Sequence, residues 1–367
     1  MKSRAIAAFL AMLLSASARQ WQLALPGCHY QFPRDHFSHP DYETEWWYYT
    51  GNLRDPGGHR FGFELTFFRV AVNLPQQTVP SDASWRPDQI YLAHLALSDI
   101  DRGEFYHTER LNRAGPGLAG IDSSEGRYWN GNWQVRWVSL ETGEQELRAV
   151  CERFAIHLDL TPEKPFVIHG RNGVSQKGAE PGRASHYISF TRLRASGQLE
   201  SNGGSFSLTG LAWMDHEFFT GQLGSSVAGW DWFAIQLDNN EELMLYRLRN
   251  KSGQADPYSS GTYVDARGES RFLDSSQISF SPGEFWQSPV SGAAYPVAWK
   301  IAVPSLDLEL SERTSLKDQE LFSRNSYSPA YWEGAVTYSG RIHSQPVNGV
   351  GYLEMTGYKE TQKVGAH

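Results

Sequence analysis

An alternation of period two limits what this chain can fold into more than any other feature. Apolar and polar residues exchange places in "RFGFELTFFRV" (60–70), "QIYLAHLALSDI" (89–100), "GNWQVRWVSL" (131–140), "RFAIHLDLTP" (153–162), "SHYISFTRLRASGQL" (185–199), "WDWFAIQLDNNEELMLYRLR" (230–249) and "YWEGAVTYSGRI" (331–342). That period puts residues i, i+2 and i+4 on one face of a strand. Turn signals fall between the runs at Asp55-Pro56-Gly57-Gly58, Asn239-Asn240 and Ser252-Gly253. Aromatic residues make up 13% of the chain and there are 34 glycines, a balance that favours strands and tight turns. No long amphipathic helix is seen. The expectation is an all-β protein of roughly 16–20 strands, in two closed sheets of about eight each.

An internal echo supports two halves. "EWWYYTGNLRDPGGHRFGFELTFFR" and "GWDWFAIQLDNNEELMLYRLR" both run from a Trp-rich strand through Leu53 or Leu237 to a turn, an apolar strand and a closing Arg69 or Arg247. The boundary is expected near 217–229, in the Gly/Ser-rich "TGQLGSSVAG", giving domains at 30–219 and 220–360. The start, "MKSRAIAAFLAMLLSASARQ", has a positive end, a short apolar run and a small-residue close, the pattern of a secretory signal peptide over 1–18. It is too short to span a bilayer, and no later stretch qualifies. The protein is therefore expected to be exported, to the periplasm or beyond the cell, and not to be integral to the membrane. The net charge of -8 argues against nucleic acid as a partner. Whether Cys28 and Cys151 pair is left open by spacing alone.

Three places attract chemistry. Glu45, Trp47 and Tyr49 share a face, and Glu45 either pairs with Arg69 or lines a cavity beside Trp47. In "LAWMDHEFF", Trp213, Asp215 and Glu217 point one way while Met214, His216 and Phe218 point the other. Consecutive ionisable residues in an apolar strand mark either a salt-bridge cluster at a domain junction or a carboxyl kept protonated for acid catalysis. In "GWDWF", Trp230 and Trp232 share a face and Asp231 takes the opposite one. His94 is a further interior candidate. No metal-ligand spacing, nucleophile elbow or nucleotide loop is present, so neither a metal nor another cofactor is expected. Inward-facing indole rings are expected to enclose a dry compartment within the barrels.

"FPRDHFSHPDYETEWWYYTGNL", "FGFELTFFR", "GLAWMDHEFF", "GWDWFAIQL" and "YWEGAV…GVGYLEMTGY" resemble the AttH-like or carotenoid 1,2-hydratase family of lipocalin-like proteins, over about Phe32 to Tyr358. The resemblance implies two tandem lipocalin-like β-barrels packed together, and a small hydrophobic ligand. It also implies hydro-lyase chemistry on an isoprenoid or lipid-like substrate, or else a carrier associated with an ABC transporter. Position by position it points to Asp215, His216, Trp230 and Asp231. The chain departs from the hydratase pattern at Glu217-Phe218, where that pattern has an Asn-Trp pair, and stands nearer the exported branch. The candidate set is thus Asp215, His216 and Asp231 for catalysis, with Glu45, Trp47, Arg69, His94, Trp213 and Trp230 around the ligand.

Overall fold

A computed structural model describes residues 20–72, 88–322 and 329–359. The signal sequence read in 1–18 lies outside the described residues. As expected, the chain is all-β, with the architecture of two tandem lipocalin-like barrels, and strands pair antiparallel throughout both large sheets. Among the described residues there are 25 strands. The excess over the expected number comes from pieces such as Val167–Ile168, Ser175–Gln176 and Glu320–Leu321, too short to display an alternation.

The first sheet has 13 strands and runs from Glu104–Arg113 through Gln89–Asp99, Arg60–Ala71, Thr44–Arg54, Gly204–Phe219 and Ala184–Ser201 to Phe154–Pro162 and the short strands ending at Ala119–Asp122. Its two end strands approach one another, so it forms a nearly closed barrel. The second sheet has 10 strands centred on Glu242–Asn250, Val227–Leu237, Gln345–Thr356 and Tyr331–Ile342, and curls into a half-barrel. The echoed hairpins occupy equivalent places. Each opens its sheet, and each first strand pairs with that sheet's last long strand.

Alternation sorts the side chains into three layers. Inward from the first sheet, Trp47, Tyr49, Phe61, Phe63, Leu65 and Met214 fill one core. Inward from the second, Phe233, Ile235, Trp299, Trp332 and Leu353 fill another. The outward faces of the same strands meet back to back, where Tyr48, Tyr187, Trp213, Trp232, Met244 and Tyr352 form a third apolar layer. The expected compartment is therefore not enclosed by inward indole rings. Trp47 stacks on Tyr128 at 5.2 Å between ring centroids, and a cavity opens instead in the seam between the sheets.

The seam is held by polar contacts of long reach. Glu242 accepts from Lys164 Nζ at 2.8 Å and from Arg192 Nε at 2.5 Å. Gln236 Nε2 donates to the carbonyls of Thr191 and Ala212, each at 2.9 Å. Gly62 marks a close approach: a Cβ there would lie 2.6 Å from the Ala335 Cβ of the other sheet. Cys28 and Cys151 are free thiols.

Candidate functional site

The seam widens at one end into a cavity of about 1310 Å³. The first sheet supplies Trp46, Tyr48, Phe68, His94, Tyr187 and Asp215; the second supplies Trp230, Trp232, Tyr331, Glu333 and Glu354. Most of these residues are outward positions of strands whose inward neighbours are packed in a core.

Asp215 is 3% exposed. Its Oδ2 accepts from Tyr187 Oη at 2.6 Å, and its Oδ1 accepts from Trp213 Nε1 at 2.6 Å and from Ser189 Oγ. Tyr187 Oη accepts in turn from Trp232 Nε1 at 2.9 Å, which ties the group to the second sheet. Burial pushes the Asp215 carboxyl up to about 7, against the three donors that favour its charged form, and Glu217 adds to the rise. Glu217 itself is held by Lys177 Nζ at 2.5 Å.

Asp215 has company. Burial raises Glu354 to about 7, with Glu217 and Asp215 pushing it further. Behind it, burial and Glu354 raise Glu64 to about 8. Burial, Glu64 and Glu354 hold Glu333 well above the usual carboxylate range, and Glu333 accepts from Tyr48 Oη. Among the described residues, no basic side chain forms an ion pair with Asp215, Glu333 or Glu354. The cavity thus joins aromatic walls to carboxyls whose pKa values burial raises to neutrality or above.

A family model described as AttH-like matches residues 23–358. The chain belongs to the AttH-like family. A crystal structure of a protein of Nitrosomonas europaea designated AttH is similar, with 35% identity and a TM-score of 0.81, covering 92% of this chain and 100% of that one. Kievitone hydratase from Nectria haematococca shares the fold at 14% identity and a TM-score of 0.68, over 92% of this chain and 97% of its own. Dehydratase asqC of Emericella nidulans is 20% identical over 148 residues, 40% of this chain and 42% of its own length. The chain spans about two fifths of the length of the curated relatives it matches.

In this AttH-like chain the residues singled out from sequence divide into two groups. Asp215, Trp230 and His94 line the cavity, and Trp213 supports Asp215 from the seam. His94 Nδ1 lies 2.6 Å from Tyr331 Oη, and burial, with His107 adding, lowers its pKa to about 3. The others lie on the inward faces. Glu45 accepts from Arg69 Nε at 2.9 Å and is approached by His39 Nδ1 at 2.7 Å and His216 Nε2 at 2.9 Å. Trp47 stacks on His216 at 4.7 Å. Asp231 accepts from Arg247 Nε at 2.8 Å, Arg249 Nε at 3.3 Å and Tyr358 Oη at 2.7 Å. His216 and Asp231, expected to act with Asp215, are thus held in ion-pair networks on the opposite faces of their strands.

His39, Glu45 and His216 bring possible metal-ligand atoms within 4.8 Å of one another. The Arg69 guanidinium on the same carboxylate opposes a second cation there, and each of the three groups already has a hydrogen-bond partner. Sequence reasoning passed over Tyr187, Ser189, Glu333 and Glu354. The signal existed: "YWEGAV" and "YLEMTG" each place an acid in an apolar strand, as "WMDHEFF" does.

Proposed function

We propose that the seam cavity holds an apolar, isoprenoid or lipid-like ligand and that Asp215 hydrates or isomerises it by proton transfer. The observation that carries this reading is an almost fully buried carboxyl, raised to about 7, in the wall of an aromatic-lined cavity large enough for such a chain. The names of related proteins support it, since one is a hydratase and another a dehydratase.

In the forward step Asp215 gives its proton to one alkene carbon, forming a C–H bond and leaving positive charge on the other. The faces of Trp46 and Trp230 stabilise that charge, an interaction worth ~2 kcal/mol when desolvated. Water then forms the C–O bond and returns a proton to the Asp215 carboxylate, so the sum is one water added. Isomerisation differs only in that the carboxylate takes a neighbouring C–H proton instead. His94 and Tyr331, also in the cavity wall, are the polar groups assigned to hold an incoming water or ligand hydroxyl. The reading includes export directed by residues 1–18, checked by the N-terminal residue of secreted protein.

The test is mass spectrometry of material extracted from purified wild-type protein and from D215N. An apolar chain is expected in both, and a product heavier by one water, or a shifted double bond, only with wild type. Turnover in D215N is expected to fall by roughly 10²–10⁴-fold. Protein that takes up no apolar probe overturns the proposal. Uptake without turnover in wild type reduces it to a carrier.

A further inference from the structure

Behind Asp215, away from the cavity, runs a line of hydrogen bonds that the chemistry above does not use. Ser189 Oγ donates to Asp215 Oδ1. His169 Nε2 lies 2.7 Å from Ser189 Oγ, and His169 Nδ1 lies 2.8 Å from Thr262 Oγ1. His169 is 1% exposed and packs against the Tyr187 ring at 4.4 Å. Neither it nor Ser189 nor Thr262 lines the cavity. Ser189 is in the first sheet and Thr262 in the second, so the imidazole bridges the seam.

Counting donors gives the line a direction. Burial, with Lys177 adding, lowers His169 to about 3, so the ring is neutral and carries one N–H. When Asp215 is a carboxylate, Ser189 donates to it, and the serine oxygen then accepts from Nε2–H. Nδ1 is left to accept from Thr262. When Asp215 carries its proton on Oδ1, the serine hydroxyl turns round and donates to Nε2, and the ring proton sits on Nδ1. Trp213 donates to Asp215 and Trp232 to Tyr187, but an indole N–H has no second role. Ser189 and His169 are thus the partners on this side that can follow a change of charge.

We propose that His169 is the positioning residue of Asp215, exchanging one neutral tautomer for the other as Asp215 gains or loses its proton. The inference rests on the reading of Asp215 as the acid of this cavity. The atoms balance in one concerted shift. Nε2–H passes its proton to Ser189 Oγ, the serine passes its own to Asp215 Oδ1, and Nδ1 takes one from Thr262, which recovers it from water. One proton is taken up in all, and release runs the shift backwards. The ring never carries a full charge in a seam where Lys177 already lies close by. Both forms of Asp215 keep a matched neighbour.

The groups facing Asp215 are Tyr187, Trp213, Ser189, Glu217 and Glu354, and Lys177 faces both Glu217 and the His169 side. Glu354 titrates in the same range, so E354Q serves as the control. The experiment uses unliganded protein with ¹⁵N-labelled histidine and records ring ¹H–¹⁵N correlations from roughly pH 5 to 9. The His169 proton is expected on Nδ1 below the Asp215 midpoint and on Nε2 above it, with the same midpoint as the Asp215 side-chain carbon. E354Q is expected to keep the exchange, and D215N to freeze one tautomer throughout. In H169L the carboxylate loses its support, and the Asp215 midpoint is expected to rise by about one pH unit. A single tautomer at every pH, or an imidazolium, overturns the proposal. So does an Asp215 midpoint unmoved in H169L; if H169L does not fold, the wild-type and D215N spectra decide. Failure of ligand uptake or turnover with the exchange intact sinks the functional reading and leaves this inference standing.

Discussion

Glu45 and Asp215 lie on paired strands of one sheet, both shut away from water, yet their carboxyls are driven in opposite directions. Burial alone raises both. Around Glu45 the opposing effects of His39, His216 and Arg69 win, and its pKa falls well below 4.5. Around Asp215 every direct donor is neutral, so burial wins. The consequences for stability have opposite signs. A depressed acid stabilises the fold above its unfolded pKa and loses that contribution as pH falls toward its folded value. Glu45 therefore helps at neutral pH and fails in acid below its ordinary 4.5. A raised acid releases its proton from the unfolded chain first, so Asp215 costs stability as pH climbs from 3.8 to about 7. E45Q, which leaves Arg69 buried without its partner, is expected to cost about 3–5 kcal/mol in urea denaturation at neutral pH. D215N is expected to match wild type below about pH 4 and to exceed it by on the order of 2–4 kcal/mol at pH 8, while losing turnover.

At the scale of the strand, alternation is legible in the sequence itself. It assigned Phe61, Phe63, Leu65 and Phe67 to one face, and Asp215 and His216 to opposite faces, and the three layers follow that assignment. What each face would meet was not legible. The outward face of Thr44–Arg54 meets residues almost 300 positions away, as in the 2.9 Å bond from Asn52 Nδ2 to the Gly351 carbonyl, |i−j| = 299. No local pattern encodes that distance. For the same reason a compartment was expected inside the barrels, and the cavity lies between them. Gly62 shows how tightly the faces mesh. G62V drives a branched side chain into the Ala335 Cβ and is expected to cost about 1–3 kcal/mol. A335G in the same chain is expected to recover part of that loss, a coupling that a double-mutant cycle of melting temperatures reads directly.

Across the whole molecule, the two sheets share one buried clamp. Glu242 takes an ion pair from Arg192 and another from Lys164, whose ammonium also donates to the Asp265 carbonyl at 2.7 Å. E242A leaves two buried cations without a counter-charge and is expected to cost about 3–5 kcal/mol. Calorimetry on wild type is expected to show a single transition, and E242A to broaden or split it, because the seam then yields before the cores do. Asp215, Glu333 and Glu354 stand on the backs of strands whose fronts are packed in the cores. Adjacent residues in "WMDHEFF" therefore answer to different demands, Asp215 and Glu217 to the cavity wall, Met214, His216 and Phe218 to the scaffold. Substitution at every second residue of such a strand therefore reshapes the cavity wall while leaving the packed side chains of the core as they are.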